Sequence, residues 1–477
     1  MTDSLESWQP ARLFPITGIG GAPEQERRAA SAFLAVLQAV YEFGRTLTMR
    51  LGAPAASTIE TFIEVPFKYG GKLYRPDGLI RVTRGQREWS VLVEFKTGHN
   101  RLQADQVSTY LDIARDLELD GVLTVSHEIP TTPGVHPVQV DGRKLRKVQL
   151  HHLSWGQIHT EALIEQFNQS VADQDQAWIL SEFIRYLEEP KSGALDFDDM
   201  GPSWVSVRDG SGRQTLRAND QETLDVVARF DQLVSFSGMA LSRRLGVLVR
   251  PVLTPKELAD PPGRLQAQAA LIARTGHLEG SLFVPRAVAP LDLVVDLRAN
   301  RIDCSVTIDA PREGRASTRV NWLLRQLKEA PPQLQVRASM TRTKVGPSFS
   351  LSDLAVKDKS LVSDPSFDIR SFTLTLSQSA GTKGGQRKGS FVASVTGLID
   401  RFYEEVVQHL KSWTAPPIKI KPSEPIDSDG PSETVAIDGE RAAVADDLTS
   451  SPTPASTVAE IVSVPSVGSE SSSQDTR

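Results

Sequence analysis

Alternating apolar and polar positions between residues 73 and 96 predict two β-strands joined by a polar turn. The first strand reads LYRPDGLIRV (residues 73–82), and the second reads WSVLVEFK (residues 89–96). A two-residue turn at Gly85 and Gln86 would place Asp77 opposite Glu94, with Cβ atoms roughly 5 Å apart. Side chains alternate with period 2, so Lys96 points to the same face as these two carboxylates.

The opposite face of the second strand is apolar, since Val91, Val93 and Phe95 alternate with the charged positions. The pattern thus gathers two carboxylates and an ammonium at the end of an otherwise apolar hairpin. Charges in such a place are costly unless they bind a cation and a substrate.

The flanking segments supply a compact α/β pattern. Pro23 begins a helix predicted over residues 24–43, with an apolar stripe made of Ala30, Phe33, Leu34, Leu37 and Tyr41. Residues 61–71 predict a strand, residues 103–116 a helix, residues 121–129 a buried strand and residues 148–155 a possible last strand. The order α-β-β-β-α-β therefore describes residues 20–128.

The remaining chain changes character twice. Residues 161–240 predict a helical segment, in which Trp178, Ile179, Phe183 and Leu187 share one side of a helix. Residues 241–413 predict a mixed α+β domain with strands at 246–253, 291–297, 301–308, 334–340 and 371–376. Its clearest helix, residues 319–330, buries Val320, Leu323, Leu324 and Leu327 and exposes Asn321, Arg325 and Lys328. The expected units are 1–160, a helical bridge at 161–240, 241–413 and a tail at 414–477.

Composition narrows the setting of the protein. The chain has 477 residues, 39% of them hydrophobic, and its only cysteine is Cys304, which excludes an internal disulfide framework. The sequence has no apolar run of membrane-spanning length, and residues 1–10 have no signal-peptide h-region, so we expect a cytoplasmic protein without a membrane partner.

The net charge of −6 does not argue against nucleic acid, because the acidity lies in the tail. Residues 414–477 hold four basic and eleven acidic residues, a balance of −7, which leaves about +1 for residues 1–413. The tail is rich in Pro, Ser and Thr and poor in aromatic residues, so we expect it to be disordered.

The residues of the hairpin and of the helix after it resemble a known signature. Pro76-Asp77, followed by Glu94-x-Lys96, is similar to the motif of the PD-(D/E)XK nuclease superfamily. Gln106 and Tyr110 on the following helix fit the Q-x-x-x-Y motif of its RecB-like branch, and their spacing puts them on one helix face.

The resemblance implies a restriction-endonuclease-like α/β core and metal-dependent hydrolysis of phosphodiester bonds in DNA. Asp77, Glu94 and the carbonyl of Phe95 would hold Mg²⁺, with Mn²⁺ as an alternative, and Lys96 would position the attacking water. Gln106 and Tyr110 would orient the lysine or touch the phosphate backbone. DNA repair and restriction or phage defence are both compatible settings, and a homodimer or a partner bound through the tail is compatible with either.

Several interpretations stay open at this stage. Glu26 is either a favourable acid at a helix N-terminus or a further residue of the site, as a first-helix glutamate is in many families of the superfamily. Glu64 is either a metal ligand or a surface acid, and the acidic segment 196–200 is either a second metal site or an exposed loop. The adjacent His151 and His152 would face opposite ways on a strand, so we interpret them as structural.

The basic surface of the C-terminal half has two possible interpretations, and the function has three. Residues 312–344 hold eight basic and two acidic residues, and residues 381–389 form a basic Gly-rich loop. This surface is either a phosphate-contacting face or a solvated one. Besides a nuclease, the chain could be a catalytically inactive nucleic-acid-binding module, or an adaptor that works through its tail.

Overall fold

The computed structural model describes residues 12–15, 21–55, 58–194, 197–340, 346–354, 361 and 368–414. The predicted disordered tail lies outside the described residues, apart from Thr414. Within the described residues the chain is a mixed α/β protein with twelve α-helices and three sheets. None of the described helices combines the length and the apolarity needed to cross a membrane.

The described part of residues 21–245 forms seven α-helices and seven strands. The helices are α1 (Ala22–Ala39), α2 (Tyr41–Arg50), α3 (Ala104–Asp116), α4 (Trp155–Phe167), α5 (Gln174–Leu187), α6 (Trp204–Arg213) and α7 (Gln221–Leu245). The strands are β1 (Thr58–Ile63), β2 (Phe67–Tyr69), β3 (Lys72–Tyr74), β4 (Gly78–Arg84), β5 (Arg87–Phe95), β6 (Gly121–Ser126) and β7 (Gln149–Ser154).

The elements after Leu245 are mostly strands. The helices are α8 (Pro255–Ala259), α9 (Pro261–Thr275), α10 (Ala316–Gln326), α11 (Leu351–Leu354) and α12 (Phe391–Glu405). The strands are β8 (Arg250–Pro251), β9 (His277–Phe283), β10 (Leu291–Asp296), β11 (Arg301–Asp309), β12 (Gln335–Met340), β13 (Ser348–Ser350) and β14 (Ile369–Ser379). Short 3₁₀ helices occupy Lys144–Arg146, Pro190–Ser192 and Val407–His409.

A five-stranded sheet with the order β1-β4-β5-β6-β7 forms the first layer structure. β1, β4 and β5 are antiparallel neighbours, whereas β5, β6 and β7 run parallel. One face packs on α1, α2, α4 and α5 through a cluster that includes Phe33, Phe95 and Trp155. The other face packs on α3 through a cluster that includes Leu92 and Tyr110. The interior strands are therefore covered on both faces, as their unbroken apolar runs require.

A seven-stranded antiparallel sheet with the order β13-β12-β14-β11-β10-β9-β8 holds the second large core. Its strands alternate buried and exposed positions, so one face packs on helices that include α7 and α12 while the other is polar. α4 and α7 join the two halves, since the Arg243 guanidinium donates to Thr160 Oγ1 and to the Gly156 carbonyl, each at 3.0 Å. Four helices, α4 to α7, thus precede this sheet, and both helices and strands follow them.

Three predicted elements around the first sheet need correction. The single helix expected over residues 24–43 is two helices, because Val40 adopts an extended conformation (φ −105°, ψ 98°), and Tyr41 is exposed rather than part of the stripe. The strands expected at 61–71 and 73–82 are interrupted by a small separate hairpin, β2–β3. Gly70 and Gly71 have φ angles of 55° and 77°, which suits a tight turn between these two strands.

Other corrections concern the C-terminal half and α5. Phe183 and Leu187 are buried as predicted, but Trp178 is 54% exposed, and Leu180 and Ile184 complete the buried side of α5. The strand expected at 246–253 is reduced to Arg250–Pro251, while β9 and α9 were not anticipated. Arg319, counted in the basic segment, is buried and donates to the carbonyls of Gly314, Ile369 and Arg312.

The close approach of α2 to α1 depends on Gly44. A Cβ atom at this position would lie 2.0 Å from the Leu37 carbonyl oxygen and 2.9 Å from Ile59 Cδ1. We expect Gly44→Ala to lower the free energy of unfolding by about 2 kcal/mol or more, because backbone cannot yield as a flexible side chain can. Urea denaturation followed by circular dichroism measures this change.

Gly397, an exposed glycine within α12 whose Cβ would meet nothing within 4 Å, provides the matched control. Gly397→Ala should raise the free energy of unfolding by about 0.5–1 kcal/mol, since alanine costs less backbone entropy in a helix. Equal effects of the two substitutions would contradict the packing argument.

Candidate active site

The candidate site lies where β4 begins and β5 ends. These strands pair from Gly78 opposite Val93 to Arg84 opposite Arg87, which is the predicted register. Asp77, one residue before β4, therefore faces Glu94, and its Oδ2 accepts a hydrogen bond of 2.8 Å from the Phe95 N–H.

Lys96 follows β5 directly and is held by its backbone on two sides. Its N–H donates to the Val125 carbonyl of β6 at 2.8 Å, and its carbonyl accepts from the Trp155 indole N–H at 2.9 Å. Its ammonium donates to Glu94 Oε1 at 2.5 Å and to the Phe95 carbonyl at 2.8 Å. The backbone anchors thus fix the point from which the ammonium reaches the acids.

Glu26 joins this cluster from the first turns of α1. Its Oε1 lies 3.1 Å from Lys96 Nζ. Carboxylate oxygens of Glu26, Asp77 and Glu94 all lie within 4.8 Å of one another. The contact with Lys96 favours the interpretation of Glu26 as a residue of the site over that of an acid at a helix N-terminus alone.

Burial leaves the negative charge of the cluster undercompensated. Burial raises the pKa of Glu94 to about 8, the carboxylate of Asp77 adds to the rise, and Lys96 opposes it. Burial also raises the pKa of Asp77 and that of Glu26, against the opposing effects of the Phe95 N–H and of Lys96 respectively. Burial alone would lower the pKa of Lys96, but Glu94 and Glu26 outweigh it and the pKa rises. Three carboxylates and one ammonium, when all are ionised, lack two positive charges.

The donor set fits a divalent cation. All three side chains offer carboxylate oxygens, which are the ligands that Mg²⁺ and Mn²⁺ prefer. The Lys96 ammonium contacts Glu94, Glu26 and the Phe95 carbonyl, so it occupies oxygens that a metal ion would use. A cluster of this kind can bind a metal ion, and such an ion would compete with the ammonium.

Gln106 and Tyr110 lie on α3, on the Glu94 side of the sheet. Gln106 Nε2 donates to the Tyr110 hydroxyl at 3.2 Å, which confirms that the two share a helix face. Burial, followed by the charge of Glu94, raises the pKa of Tyr110 to about 12. Among the described residues no hydrogen bond joins this pair to Lys96, so a direct role in orienting the lysine is not seen in this state.

The other candidates lie apart from the cluster. Glu64 is exposed and pairs with Arg27 at 3.6 Å, as a surface acid does. Asp198 and Asp199 pair with Arg229 at 3.0 and 3.6 Å, so the described part of segment 196–200 makes an ion pair with α7.

The two histidines of β7 make hydrogen-bond contacts with neighbouring groups of the protein. His152 Nδ1 lies 2.8 Å from Thr124 Oγ1, its Nε2 lies 2.8 Å from the Glu128 carbonyl, and burial lowers its pKa to about 3. His151 Nε2 lies 3.0 Å from Gln149 Oε1. These contacts agree with the structural interpretation of both residues.

Sequence reasoning missed Trp155, which positions Lys96. Trp155 stacks on Phe95 with a centroid separation of 5.8 Å while it donates to the Lys96 carbonyl. A signal for it existed, since Ser154 and Gln157 form a capping box that fixes the start of α4 beside β7.

The raised pKa of Glu94 has a consequence for stability. Because the pKa is about 8 in the folded chain and near 4.5 when unfolded, the metal-free protein should lose stability as pH rises through this window. Glu94→Gln removes the buried charge. We expect it to raise the free energy of unfolding at pH 8 in EDTA by about 1–3 kcal/mol, with little change at pH 4.5.

Urea denaturation at the two pH values measures the difference. Glu60→Gln, which removes an exposed carboxylate of β1, is the matched control and should change stability at neither pH by more than about 0.5 kcal/mol. A Glu94→Gln protein that is less stable than wild type at pH 8 would show that Lys96 compensates the charge in full.

Comparisons with known proteins leave the assignment to the geometry of the site. No family model, no curated protein and no solved structure matches the chain. The resemblance to PD-(D/E)XK nucleases therefore stays a hypothesis, and the contacts, charges and burial described above are what a functional proposal has to rest on.

Proposed function

We propose that the chain is a metal-dependent nuclease of the PD-(D/E)XK type that hydrolyses phosphodiester bonds in DNA. The observation that carries the proposal is the convergence of Glu26, Asp77 and Glu94 on one another and on Lys96 at the end of a hairpin. The order of α1, β1, β4, β5, α3 and β6 around one sheet supports a restriction-endonuclease-like core.

The ligands of the metal are the groups that the cluster already presents. Asp77, Glu94, Glu26 and the Phe95 carbonyl would hold Mg²⁺ or Mn²⁺. When bound, the ion supplies charge stabilisation at the scissile phosphate and lowers the pKa of a coordinated water. Asp77 keeps its orientation through the Phe95 N–H, so the chain itself presets this carboxylate.

Lys96 acts as a cation rather than as a base. Its carboxylate neighbours raise its pKa, so the amine holds its proton at neutral pH. An ammonium can donate to a water molecule and to a phosphate oxygen, which positions the nucleophile and offsets developing negative charge. Its anchored backbone limits how far the side chain can move when it exchanges carboxylate partners for substrate.

Gln106 and Tyr110 would contact the substrate backbone. The Tyr110 pKa of about 12 keeps the phenol protonated, so its hydroxyl remains a hydrogen-bond donor at working pH. The Gln106 amide adds a second neutral donor beside it. Because both donors are uncharged, they can bind phosphate oxygens without forming ion pairs with the neighbouring carboxylates.

The C-terminal half would supply recognition. Arg325 and Lys328 are exposed, Arg325 on α10 and Lys328 just after its end, and Lys383, Arg387 and Lys388 lie in an exposed loop. Such a surface suits a further stretch of DNA in a repair or restriction setting. A homodimer, or a partner bound through residues 414–477, remains part of the hypothesis.

A second candidate is a nucleic-acid-binding module that has no catalysis. It is favoured by one observation, since the Lys96 ammonium contacts Glu94, Glu26 and the Phe95 carbonyl and so occupies oxygens that a metal ion would need. In that case DNA binding would be insensitive to EDTA and no DNA would be cut.

Cleavage of supercoiled plasmid and of a linear single strand, with Mg²⁺, Mn²⁺ or EDTA, tests the proposal. We expect cutting only with metal. Asp77→Asn should reduce the rate at least about 10³-fold through loss of a ligand, and Lys96→Gln about 10²-fold or more through loss of the ammonium. Lys96→Gln should still bind Mn²⁺ by calorimetry.

Asp105→Asn, which changes an exposed acid in the first turn of α3, is the matched control and should cut like wild type. Plasmid cutting by Asp77→Asn at the wild-type rate would sink the assignment. DNA binding by wild type without cutting under any metal condition would favour the binding module.

A further inference from the structure

A small hairpin lies between β1 and β4, beside the candidate site. The last residue pair of β1 and β4 is Ile63 with Gly78, and the Glu64 N–H continues this pairing by donating to the Asp77 carbonyl at 3.1 Å. Residues 65–76, here called the site hairpin, leave the sheet and return to it between these two positions. The site hairpin is therefore rooted at Asp77, and it contains β2 and β3.

One side of the site hairpin is packed on the Tyr110 side of the sheet. Phe67, Tyr69 and Tyr74 are half-buried against the apolar cluster that contains Leu92 and Tyr110. The rings of Tyr69 and Tyr74 contact each other edge to face, with centroids 6.4 Å apart. These contacts give the hairpin a fixed place next to α3.

All the exposed charged residues of the site hairpin are positive and have no counter-charge, with Lys68 on the outer face and Lys72 opposite Tyr69 at the turn. Lys68, Lys72 and Arg75 are all exposed, and residues 65–76 include no acidic residue. Among the described residues, none of these three side chains forms an ion pair or a hydrogen bond, in contrast to Arg27, Arg28 and Arg81 nearby. Three free cations on a short rooted hairpin are available for an anionic ligand.

These cations lie near the negatively charged cluster of Glu26, Asp77 and Glu94, which would otherwise repel an anionic ligand. A polyanion that approaches three carboxylates is repelled unless cations lie close to them, and Arg75 is only two residues from Asp77. Phosphate groups that flank the scissile one would lie within reach of such cations. A nucleic-acid strand meets both conditions because its phosphates repeat along the chain.

We propose that the site hairpin binds the sugar–phosphate backbone of the strand that is cut, through Lys68, Lys72 and Arg75. This inference rests on the proposed function and adds to it the element that holds the substrate beside the metal centre. The contacts are with phosphates, so they contribute affinity and salt dependence but not sequence preference.

The test compares two charge-reversed proteins for binding of a labelled 30-nucleotide DNA, single- or double-stranded, by fluorescence anisotropy in Ca²⁺ over a range of salt. In Lys68→Glu/Lys72→Glu we expect affinity at low salt to fall at least about tenfold. The slope of log affinity against log salt should become shallower by about 1–2, since each lost phosphate contact removes close to one unit. Lys68→Gln/Lys72→Gln should show the same change in slope, which separates lost contacts from introduced repulsion.

Arg84→Glu/Arg87→Glu provides the matched control. These two exposed arginines lie at the other end of the β4–β5 pair, roughly 20 Å from Asp77, and form no ion pair among the described residues. The control makes the same change in net charge beyond the Debye length at 0.1 M salt, so binding should change less than about threefold. Affinity for Mn²⁺, measured by calorimetry without DNA, should be the same in both proteins and in wild type.

Two failures can be told apart. If wild type binds and cuts DNA and the hairpin variant matches the Arg84/Arg87 control in affinity and slope, the hairpin inference is wrong and the nuclease proposal stands. If wild type binds no DNA and cuts none, the proposed function fails, and the hairpin inference fails with it.

Discussion

One buried and two half-buried carboxylates beside a single ammonium impose the constraint on which the rest of the site depends. Glu94 is 2% exposed, and the charge that it shares with Asp77 and Glu26 exceeds what Lys96 can neutralise. A buried like-charge group of this kind works against folding, because each ionised carboxylate loses its hydration without gaining a full partner. Proteins retain such clusters chiefly where function uses them, and perturbed pKa values at a sheet edge are typical of such places. A divalent cation would supply the missing charge, which is why metal chemistry accounts for the cluster better than a structural ion pair does.

The first sheet places the cluster through register rather than through loops. The β4–β5 pairing sets Asp77 against Glu94, and the parallel pairing continues the same row through Thr124 of β6 to His152 of β7. Thr124 Oγ1 lies within hydrogen-bond distance of His136 and His152, so the polar row is satisfied away from the carboxylates. Within this row, Asp77 and Glu94 are the residues whose negative charge exceeds the positive charge around them. Rigid strands hold them, which is the arrangement that preorganised sites need.

The parts of this site that were predictable are the local ones. The period-2 pattern of β5 and the Gly85-Gln86 turn fix the register, so the meeting of Asp77 with Glu94 followed from the sequence alone. Glu26 could only be left open, because its approach to Lys96 depends on how α1 lies across the sheet. The site hairpin was overlooked although Gly70-Gly71 is a turn signal, since the alternation on either side of it also fitted two longer strands, 61–71 and 73–82. Trp155 is distant in sequence from Lys96, and no periodicity reports a contact between an indole and a backbone carbonyl.

The most direct test of the central claim is the position of a bound cation. Crystals of the wild-type protein soaked in Mn²⁺ would be measured for anomalous scattering near the manganese edge. The account predicts a peak within about 2.0–2.4 Å of carboxylate oxygens from Asp77 and Glu94, close to Glu26, with the Lys96 ammonium moved off those oxygens. A peak only at other sites, with Lys96 Nζ still donating to Glu94 and Glu26, would show that the cluster is a closed ion network and not a metal centre.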